Sequence, residues 1–229
     1  MLLLHRLSHP ASGALEVLKL AALGAMVADH ANKYALNGAY PMMEHIGRLA
    51  FPLFALVVAA NLRWNAADPQ RYFIRLAVWG MASQAIYTWA TGRTDLNTLL
   101  TLGVGVQLVL AVEALRQHSS AGRVLWLMVV VAATLACDYR FTGPLLVLLF
   151  HGWFARPGPY TALLAILCVA ALNTSLLFAP AALASLIVAG VVAWWRPHLP
   201  RLTRYWFYPF YPAHLAVIRL IASQKFVFS

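Results

Sequence analysis

Residues 160–195, YTALLAILCVAALNTSLLFAPAALASLIVAGVVAWW, decide the fold because they contain no charged side chain. The hydrocarbon core of a bilayer is about 30 Å thick, so a helix needs about 20 mostly apolar residues to cross it. Apolar segments of the same kind fill most of the chain, which is 62% hydrophobic and 10% charged. Soluble domains carry about 25% charged residues. The sequence therefore predicts an all-α, polytopic integral membrane protein.

Nine transmembrane helices are predicted from the apolar segments, each to within a few residues. They cover residues 15–35, 46–62, 73–91, 96–115, 124–138, 141–155, 160–178, 180–195 and 206–222. No connection is long enough to fold separately, so residues 1–229 are interpreted as one membrane domain. The fifth and sixth segments are short for a crossing and are interpreted either as a tilted pair or as a re-entrant hairpin.

The Lys and Arg residues predict the orientation, because cytoplasmic loops carry an excess of them. With nine crossings and a cytoplasmic N-terminus, eleven of the 17 Lys and Arg residues lie inside and six outside. These residues are scattered singly or in pairs between apolar segments, so no nucleic-acid partner is expected despite the net charge of +10. The first fourteen residues, with His5, Arg6 and His9, are expected to form a cytoplasmic lead without a removable signal peptide.

The first predicted helix carries four ionisable side chains, Glu16, Lys19, Asp29 and His30. Placing such a group within the bilayer costs roughly 2.5–3.5 kcal/mol on insertion scales, so each is expected to have a structural or functional role. Lys19 and His30 are eleven residues apart, which places them within about 20° of each other and about 16 Å apart along the axis. One face of this helix therefore presents a cation near its cytoplasmic end and an imidazole towards its outer half.

Each of these side chains also has a purely structural interpretation. Lys19 is one turn from Glu16, and Asp29 is four residues from Lys33, so both are placed to form ion pairs on the helix. His30 is equally compatible with a hydrogen-bonded core histidine. Asp29 and His30 lie about 100° apart on the helix, so Asp29 is poorly placed to orient His30 directly. If Asp29 has a functional role, its partner is expected on another helix.

Further polar side chains stand in or beside the other predicted helices. Arg48 starts the second, Arg75 lies within the third, Asp138 ends the fifth, and Tyr211 and His214 lie in the last. A second set is more simply explained by interhelical hydrogen bonds: Gln84, Tyr87, Asn97, Thr98, Thr101 and Gln107.

Two other groups of residues are assigned structural roles. Trp206 and Phe207 open the last helix and are interpreted as part of an interfacial aromatic belt. Cys137 and Cys168 have no partner at metal-binding or redox spacing and are expected to be inert core residues. No metal site is predicted.

A series of motifs runs in order along nearly the whole chain. They are Leu18-Lys19, Asp29-His30, Arg48-Leu49-Ala50-Phe51-Pro52-Leu53-Phe54, Tyr72 with Arg75-Leu76, and Phe207-Tyr208-Pro209-Phe210-Tyr211-Pro212-Ala213-His214-Leu215. Together they resemble the TraX family, membrane-bound acetylases that modify the pilin of conjugative systems. The middle of the chain matches mainly as hydrophobic helices, with Asp138-Tyr139 and Gly143 as a weaker match. The spacing from Lys19 to His30 is also similar to the first helix of membrane acyltransferases that modify sugars.

This resemblance implies an acetyltransferase of the bacterial inner membrane, surrounded by membrane lipids, that takes acetyl groups from cytoplasmic acetyl-CoA and uses no metal. The implied acceptor is an amine, in the best-known members the N-terminus of a pilin subunit. The resemblance implies that His30 is catalytic, as general base or transient acetyl carrier, with Asp29. It implies that Lys19 and Arg75 bind the donor. The implied supporting or substrate-binding residues are Arg48, Asn97, Asp138, Tyr211 and His214.

Two other functions are compatible with the same residues. Intramembrane Asp and His residues also relay protons in small transporters. Such transporters are expected to show internal pseudo-symmetry and interrupted helices, and this sequence contains no internal repeat that we can identify. The second alternative is a non-catalytic membrane factor of pilus assembly that binds the pilin subunit.

Overall fold

The protein is a bundle of helices in a computed structural model, which describes residues 12–173, 175–195, 197–200 and 206–225. That part of the chain contains ten α-helices and no strand. They are α1 (Ser12–Ala35), α2 (Pro41–Gly47), α3 (Ala50–Ala60), α4 (Pro69–Thr91), α5 (Thr98–Gln117), α6 (Ala121–Ala133), α7 (Thr142–Ala155), α8 (Pro159–Ala170), α9 (Ala179–Trp195) and α10 (Phe207–Lys225). A π-helical turn, Asn61–Asn65, continues α3, and 3-10 turns at Thr134–Ala136 and Leu176–Phe178 follow α6 and precede α9.

The predicted all-helical class is confirmed for these described residues. Three helical runs are long and apolar enough to cross a membrane: Pro41–Asn65, Thr98–Gln117 and Leu176–Trp195. Three more are apolar but shorter: Ala121–Ala136, Thr142–Ala155 and Pro159–Ala170. Nine crossings and a cytoplasmic N-terminus stay predictions. The lead through residue 11 and three basic residues of the orientation count, Arg196, Arg201 and Arg204, lie outside the described residues.

The prediction of one helix over residues 160–178 was wrong. Helix α8 ends at Ala170, and a separate 3-10 turn begins at Leu176. Asn173 and Ser175 lie between the two, and side chains of this kind compete with the backbone for hydrogen bonds. The Leu177 amide donates to Ser175 Oγ at 3.3 Å, which replaces a helical hydrogen bond in this connection.

The second predicted segment begins earlier than expected and is interrupted. Helix α2 starts at Pro41, where a missing amide hydrogen costs least. The helix then breaks at Arg48 and Leu49, between α2 and α3. Pro52 has no amide hydrogen to donate to the Arg48 carbonyl, which explains why a continuous helix is not formed there.

Helix α3 is the centre of the bundle. Ten of its 11 residues are buried, and it packs against α1, α5, α7 and α9. Its sequence, AFPLFALVVAA, is apolar on every side, as expected for a helix surrounded by other helices. Helix α10 packs against α1 and α4. These central helices enclose the space in which most of the predicted site residues lie.

The outer helices present apolar side chains outwards. Leu125 of α6, Leu167 of α8 and Ile187 of α9 are 61%, 55% and 70% exposed. Large contiguous apolar surfaces of this kind mark membrane or protein contacts. Together with the apolar composition of these helices, they fit a surface in contact with lipid.

The aromatic residues at the start of α10 divide between the surface and the interior. Trp206 is 39% exposed, which fits the predicted aromatic belt. The prediction was wrong for Phe207, because its ring packs inside the bundle against Phe54, with centroids 5.8 Å apart. Cys137 and Cys168 are buried and unpaired, as predicted for core residues.

Candidate functional site

Two polar cavities lie at opposite ends of the central helices. The first encloses about 400 Å³ and has Lys19 of α1 in its wall. The second encloses about 220 Å³ and has His30 of the same helix in its wall. We call them the Lys19 cavity and the His30 cavity. The predicted spacing on α1 therefore corresponds to two separate cavities on one helix.

The Lys19 cavity is lined mainly by α1, α3, α4 and the start of α10. Lys19 Nζ donates to Glu16 Oε2 at 2.7 Å, so the ion pair given as the structural alternative is present. Arg75 lies over the Tyr72 ring, with its guanidinium carbon 5.7 Å from the centroid. Tyr208 completes the polar wall. With two cations and one carboxylate among its described lining residues, this cavity carries a net positive charge.

The His30 cavity has a denser set of charges. Its walls contain two carboxylates and three cations besides the imidazole, and five further polar side chains. They are Asp29, Asp138, Lys33, Arg48, Arg93 and His30, with Tyr34, Tyr87, Thr98, Tyr139 and Asn173. The cavity thus collects Asp29, His30, Arg48 and Asp138, four of the residues predicted from sequence.

His30 is hydrogen-bonded to His214, which lies 184 residues away on α10. His30 Nδ1 and His214 Nε2 are 2.9 Å apart, and the two rings are nearly parallel, with an interplanar angle of 6°. His214 Nδ1 in turn lies 3.0 Å from the Phe210 carbonyl oxygen. The structure thus places His214, one of the residues implied to support the site, in direct contact with His30.

This chain of hydrogen bonds determines which nitrogen of His30 is available. The Phe210 carbonyl only accepts, so His214 Nδ1 carries the hydrogen, and Nε2 of a neutral His214 must accept. His30 Nδ1 is therefore the donor in the histidine pair. The lone pair of neutral His30 is then on Nε2, the nitrogen suited to take a proton or to attack a carbonyl carbon.

Asp29 is held on its own helix. Its Oδ2 accepts from Lys33 Nζ at 2.7 Å, so the predicted i, i+4 ion pair is present. Helix α2 approaches closely on the other side, because a Cβ at Gly47 would lie 2.7 Å from Asp29 Oδ1. Asp29 is therefore a positioned carboxylate in the cavity wall, whereas His30 takes its partner from α10.

Arg48 joins the break between α2 and α3 to the connection after α8. It pairs with Glu44, its Nη1 donates to Asn173 Oδ1 at 3.2 Å, and its guanidinium carbon lies 4.2 Å from the Phe178 centroid. Sequence reasoning missed Asn173 and Phe178. No local pattern identifies them, since they meet Arg48 only through long-range packing.

Asp138 lies in the wall of the His30 cavity where two loops meet. Arg93 Nη2 lies 2.6 Å from Asp138 Oδ1 and also pairs with Asp95. The Asp138 amide donates to the Leu96 carbonyl at 3.1 Å, which ties the loop before α5 to the turn before α7. Burial raises the pKa of Asp138, which lies in that turn, to about 6, against the lowering effect of the Arg93 guanidinium.

Tyr211 and Asn97 are both implied to support the site, but the structure places them in different surroundings. Tyr211 lies beside His214, with ring centroids 5.7 Å apart, and its hydroxyl oxygen accepts from the Thr98 amide at 3.4 Å. Asn97 lines neither cavity and instead caps α5 and donates to the Gly80 carbonyl at 2.7 Å. The interhelical interpretation of Asn97 is confirmed, and the structure gives no support for a direct site role.

Comparison with known sequences assigns the chain to a family. The family profile described as TraX protein matches residues 14–222. The chain belongs to the TraX family. Two TraX relatives, both named Protein TraX, come from Escherichia coli strain K12 and from Escherichia coli. Each is 30% identical to this chain, and each alignment covers 92% of this chain and 88% of the relative.

No solved structure shows a significant match to the chain. The TraX match spans all residues that line the His30 cavity, and all but Ser12 of those that line the Lys19 cavity. His214 also falls within the matched range. Both cavities therefore belong to the part of the molecule that defines a TraX protein.

Proposed function

We propose that this protein is a membrane acetyltransferase that uses acetyl-CoA bound in the Lys19 cavity to acetylate an amine in the His30 cavity. The observation that carries the proposal is the histidine pair, which leaves a lone pair on His30 Nε2. A basic cavity at the other end of the same helix supplies a place for an anionic donor.

The Lys19 cavity suits the phosphate groups of acetyl-CoA. Arg75 and Lys19 offer charge-assisted hydrogen bonds, and guanidinium groups bind phosphate bidentately. The lead and the Lys19 end face the cytoplasm in the predicted orientation, where acetyl-CoA is available. The donor arm then extends about 16 Å along α1 towards His30.

In the proposed reaction the acceptor amine attacks the thioester carbonyl carbon. His30 Nε2 takes the proton that the amine loses, the carbon–sulfur bond breaks, and the coenzyme A thiolate leaves and is reprotonated. An α-amino group has a reference pKa of about 7.7–8.0, so an imidazole is a sufficient base for it. His214 accepts the His30 Nδ1 hydrogen bond throughout, which keeps the ring fixed.

The acceptor is proposed to be the N-terminal amine of a pilin-like protein at the membrane, as the resemblance to pilin acetylases implies. The proposed site of reaction is the bacterial inner membrane, with the His30 cavity facing the outer side.

The test is acetyl transfer by purified protein with acetyl-CoA and a pilin-like peptide, followed by mass spectrometry. We expect His30→Ala to reduce turnover by about 10²- to 10⁴-fold, the usual contribution of general base catalysis. His118→Ala, at the exposed C-terminal end of α5, is the matched control and should retain activity. Undiminished turnover by His30→Ala contradicts the proposed role of His30.

One observation also favours the transporter alternative, since two cavities that approach the bundle centre from opposite ends resemble two half-access sites. A transporter moves its substrate across reconstituted vesicles without acetyl-CoA, whereas the proposed enzyme modifies the acceptor covalently. A non-catalytic pilus-assembly factor binds the peptide and leaves its mass unchanged. Absence of acetyl-CoA binding by the unmodified protein in detergent would reject the enzyme.

A further inference from the structure

The two cavities are joined through a very small void in the middle of the bundle. It encloses about 10 Å³ and is lined by Leu23, Met26, Phe54, Thr98, Leu99, Leu102, Phe207 and Tyr211. Leu102 and Phe207 also line the Lys19 cavity, and Met26 and Thr98 also line the His30 cavity. Phe54 lines all three spaces. Phe54 therefore borders the connection between the two cavities.

This connection is closed and mainly apolar, with Thr98 and Tyr211 as its polar lining residues. Phe54 is 4% exposed and Leu102 is 1% exposed, and the Phe54 and Phe207 rings meet edge to face at 70°. A space of about 10–15 Å³ is the least that holds one water molecule, and a void lined by apolar side chains stays dry. Hydrophobic constrictions of this kind interrupt continuous water in membrane proteins. Phe54 is thus the centre of a narrow, mainly apolar barrier between two larger cavities with polar walls.

We propose that Phe54 determines whether the acetyl group goes to the amine or to water. This inference rests on the proposed acetyl transfer. With Phe54 in place, the donor in the Lys19 cavity and the base in the His30 cavity share no water. They come together only when the donor arm itself displaces the Phe54 ring and fills the constriction.

The competing reaction is hydrolysis. A water oxygen attacks the thioester carbonyl carbon, the water proton passes to the base, and the carbon–sulfur bond breaks to give acetate and coenzyme A. The His30 imidazole can take a proton from water as well as from an amine, because a general base acts on either nucleophile. A gap at Phe54 supplies water to both the thioester and His30, so hydrolysis no longer requires the amine.

The first experiment measures acetyl-CoA hydrolysis and peptide acetylation by the purified protein in detergent. We expect Phe54→Ala to raise hydrolysis in the absence of peptide several-fold, and Phe54→Leu to raise it less. Adding His30→Ala to Phe54→Ala should return hydrolysis towards the unmodified level. If Phe54 has only a structural role, the additional hydrolysis should not depend on His30 in this way.

The matched control is Phe154→Ala. Phe154 is buried to the same extent, 3% exposed, but packs against Trp64 and lines neither cavity. Hydrolysis that rises equally in Phe154→Ala and Phe54→Ala, or in neither, overturns the inference.

The second experiment measures proton leak through the protein in sealed proteoliposomes and needs no acetyl transfer. Phe54→Ala should leak faster than the unmodified protein, and Phe154→Ala should not. If folded Phe54→Ala leaks protons no faster than the unmodified protein, the inference is rejected, whatever the result of the acetylation assay. Lack of peptide acetylation by the unmodified protein, together with a leak specific to Phe54→Ala, rejects the proposed function and leaves the barrier standing. If Phe54→Ala does not fold, the same comparison is made with Phe54→Leu and Phe154→Leu.

Discussion

At the scale of single residues, His214 sets the chemistry of His30 without lining the cavity itself. Its Nε2 accepts the His30 Nδ1 hydrogen, and the Phe210 carbonyl keeps His214 in that tautomer. A change at His214 therefore acts on which nitrogen of His30 carries the hydrogen and on the ring orientation. It leaves the cavity walls in place.

We expect His214→Ala to lower kcat for the proposed peptide acetylation by roughly 10- to 100-fold, by analogy with the loss of a partner that orients a metal-binding histidine. KM for acetyl-CoA should stay close to that of the unmodified protein, because His214 is not in the Lys19 cavity. His214→Gln offers an amide oxygen to His30 Nδ1 and should restore part of kcat. Equal loss in both variants contradicts the orienting role.

Gly47 is a second residue whose effect is local. A Cβ there would lie 2.7 Å from Asp29 Oδ1 and Cγ, so we expect Gly47→Ala to displace α2 or the Asp29–Lys33 pair. Overpacking of this kind costs about 1–3 kcal/mol, which should appear as a lower Tm in detergent. Gly122→Ala, where a Cβ meets nothing within 4 Å, is the control. A Tm that falls as much in Gly122→Ala contradicts the close approach.

At the scale of elements, the loops between helices close the His30 cavity. Arg93 joins the loop before α5 to Asp138 in the turn before α7, and Arg48 joins the α2–α3 break to the connection after α8. This ion pair and this hydrogen bond hold together segments that are far apart in sequence. The cavity shape therefore depends on loops as much as on helices.

We expect Arg93→Ala to destabilise the protein, because it leaves Asp138 without the guanidinium that opposes the effect of burial. The pKa of Asp138 should then rise further above about 6. The control is Arg71→Ala, which removes an exposed pair with Asp68 and should cost about 0–1 kcal/mol. Thermal unfolding in detergent compares the two, and an equal loss of Tm contradicts the loop connection.

The sequence predicted the helices better than the contacts between them. The ionisable face of α1 was recognised from spacing alone, since Lys19 and His30 share one helix and periodicity fixes their separation. The sequence named His214 as a supporting residue but did not single out its contact with His30, because 184 residues separate the two. Phe54 carried no distinguishing signal, since one phenylalanine in an apolar helix resembles any other until its neighbours are known.

The helix ends were also predicted unevenly. Pro41 marks the start of α2, but the prediction did not use it, because the apolar run on which the prediction rested begins later, near residue 46. Helix α8 ended early at Ala170 for the same kind of reason, since the polar residues 173–175 are few enough to be absorbed in an apolar window. Local competition for backbone hydrogen bonds decides such ends, and average hydropathy does not detect it.

At the scale of the whole molecule, the predicted orientation places the Lys19 end inside and the His30 end outside. Ala67 lies in a loop at the Lys19 end, and Ala39 lies in a loop at the His30 end; both residues are exposed. In a variant with Cys137 and Cys168 replaced by Ala, Ala67→Cys should react with an impermeant thiol reagent only from the cytoplasmic side. Ala39→Cys should react only from the outer side. Labelling from the opposite sides would show that the predicted orientation is reversed, and with it the side on which the proposed acetyl-CoA site lies.

The short outer helix α8 has a consequence for the membrane around the protein. Its 12 residues span about 18 Å at 1.5 Å each, well below the hydrocarbon thickness of about 30 Å. Lipids next to a short helix shorten or tilt their chains to match it. We expect the bilayer to be thinned next to α8, and the proposed acetyl transfer to be faster in vesicles of short-chain lipids than of long-chain lipids. The bilayer next to this helix would then be thinner than the surrounding membrane.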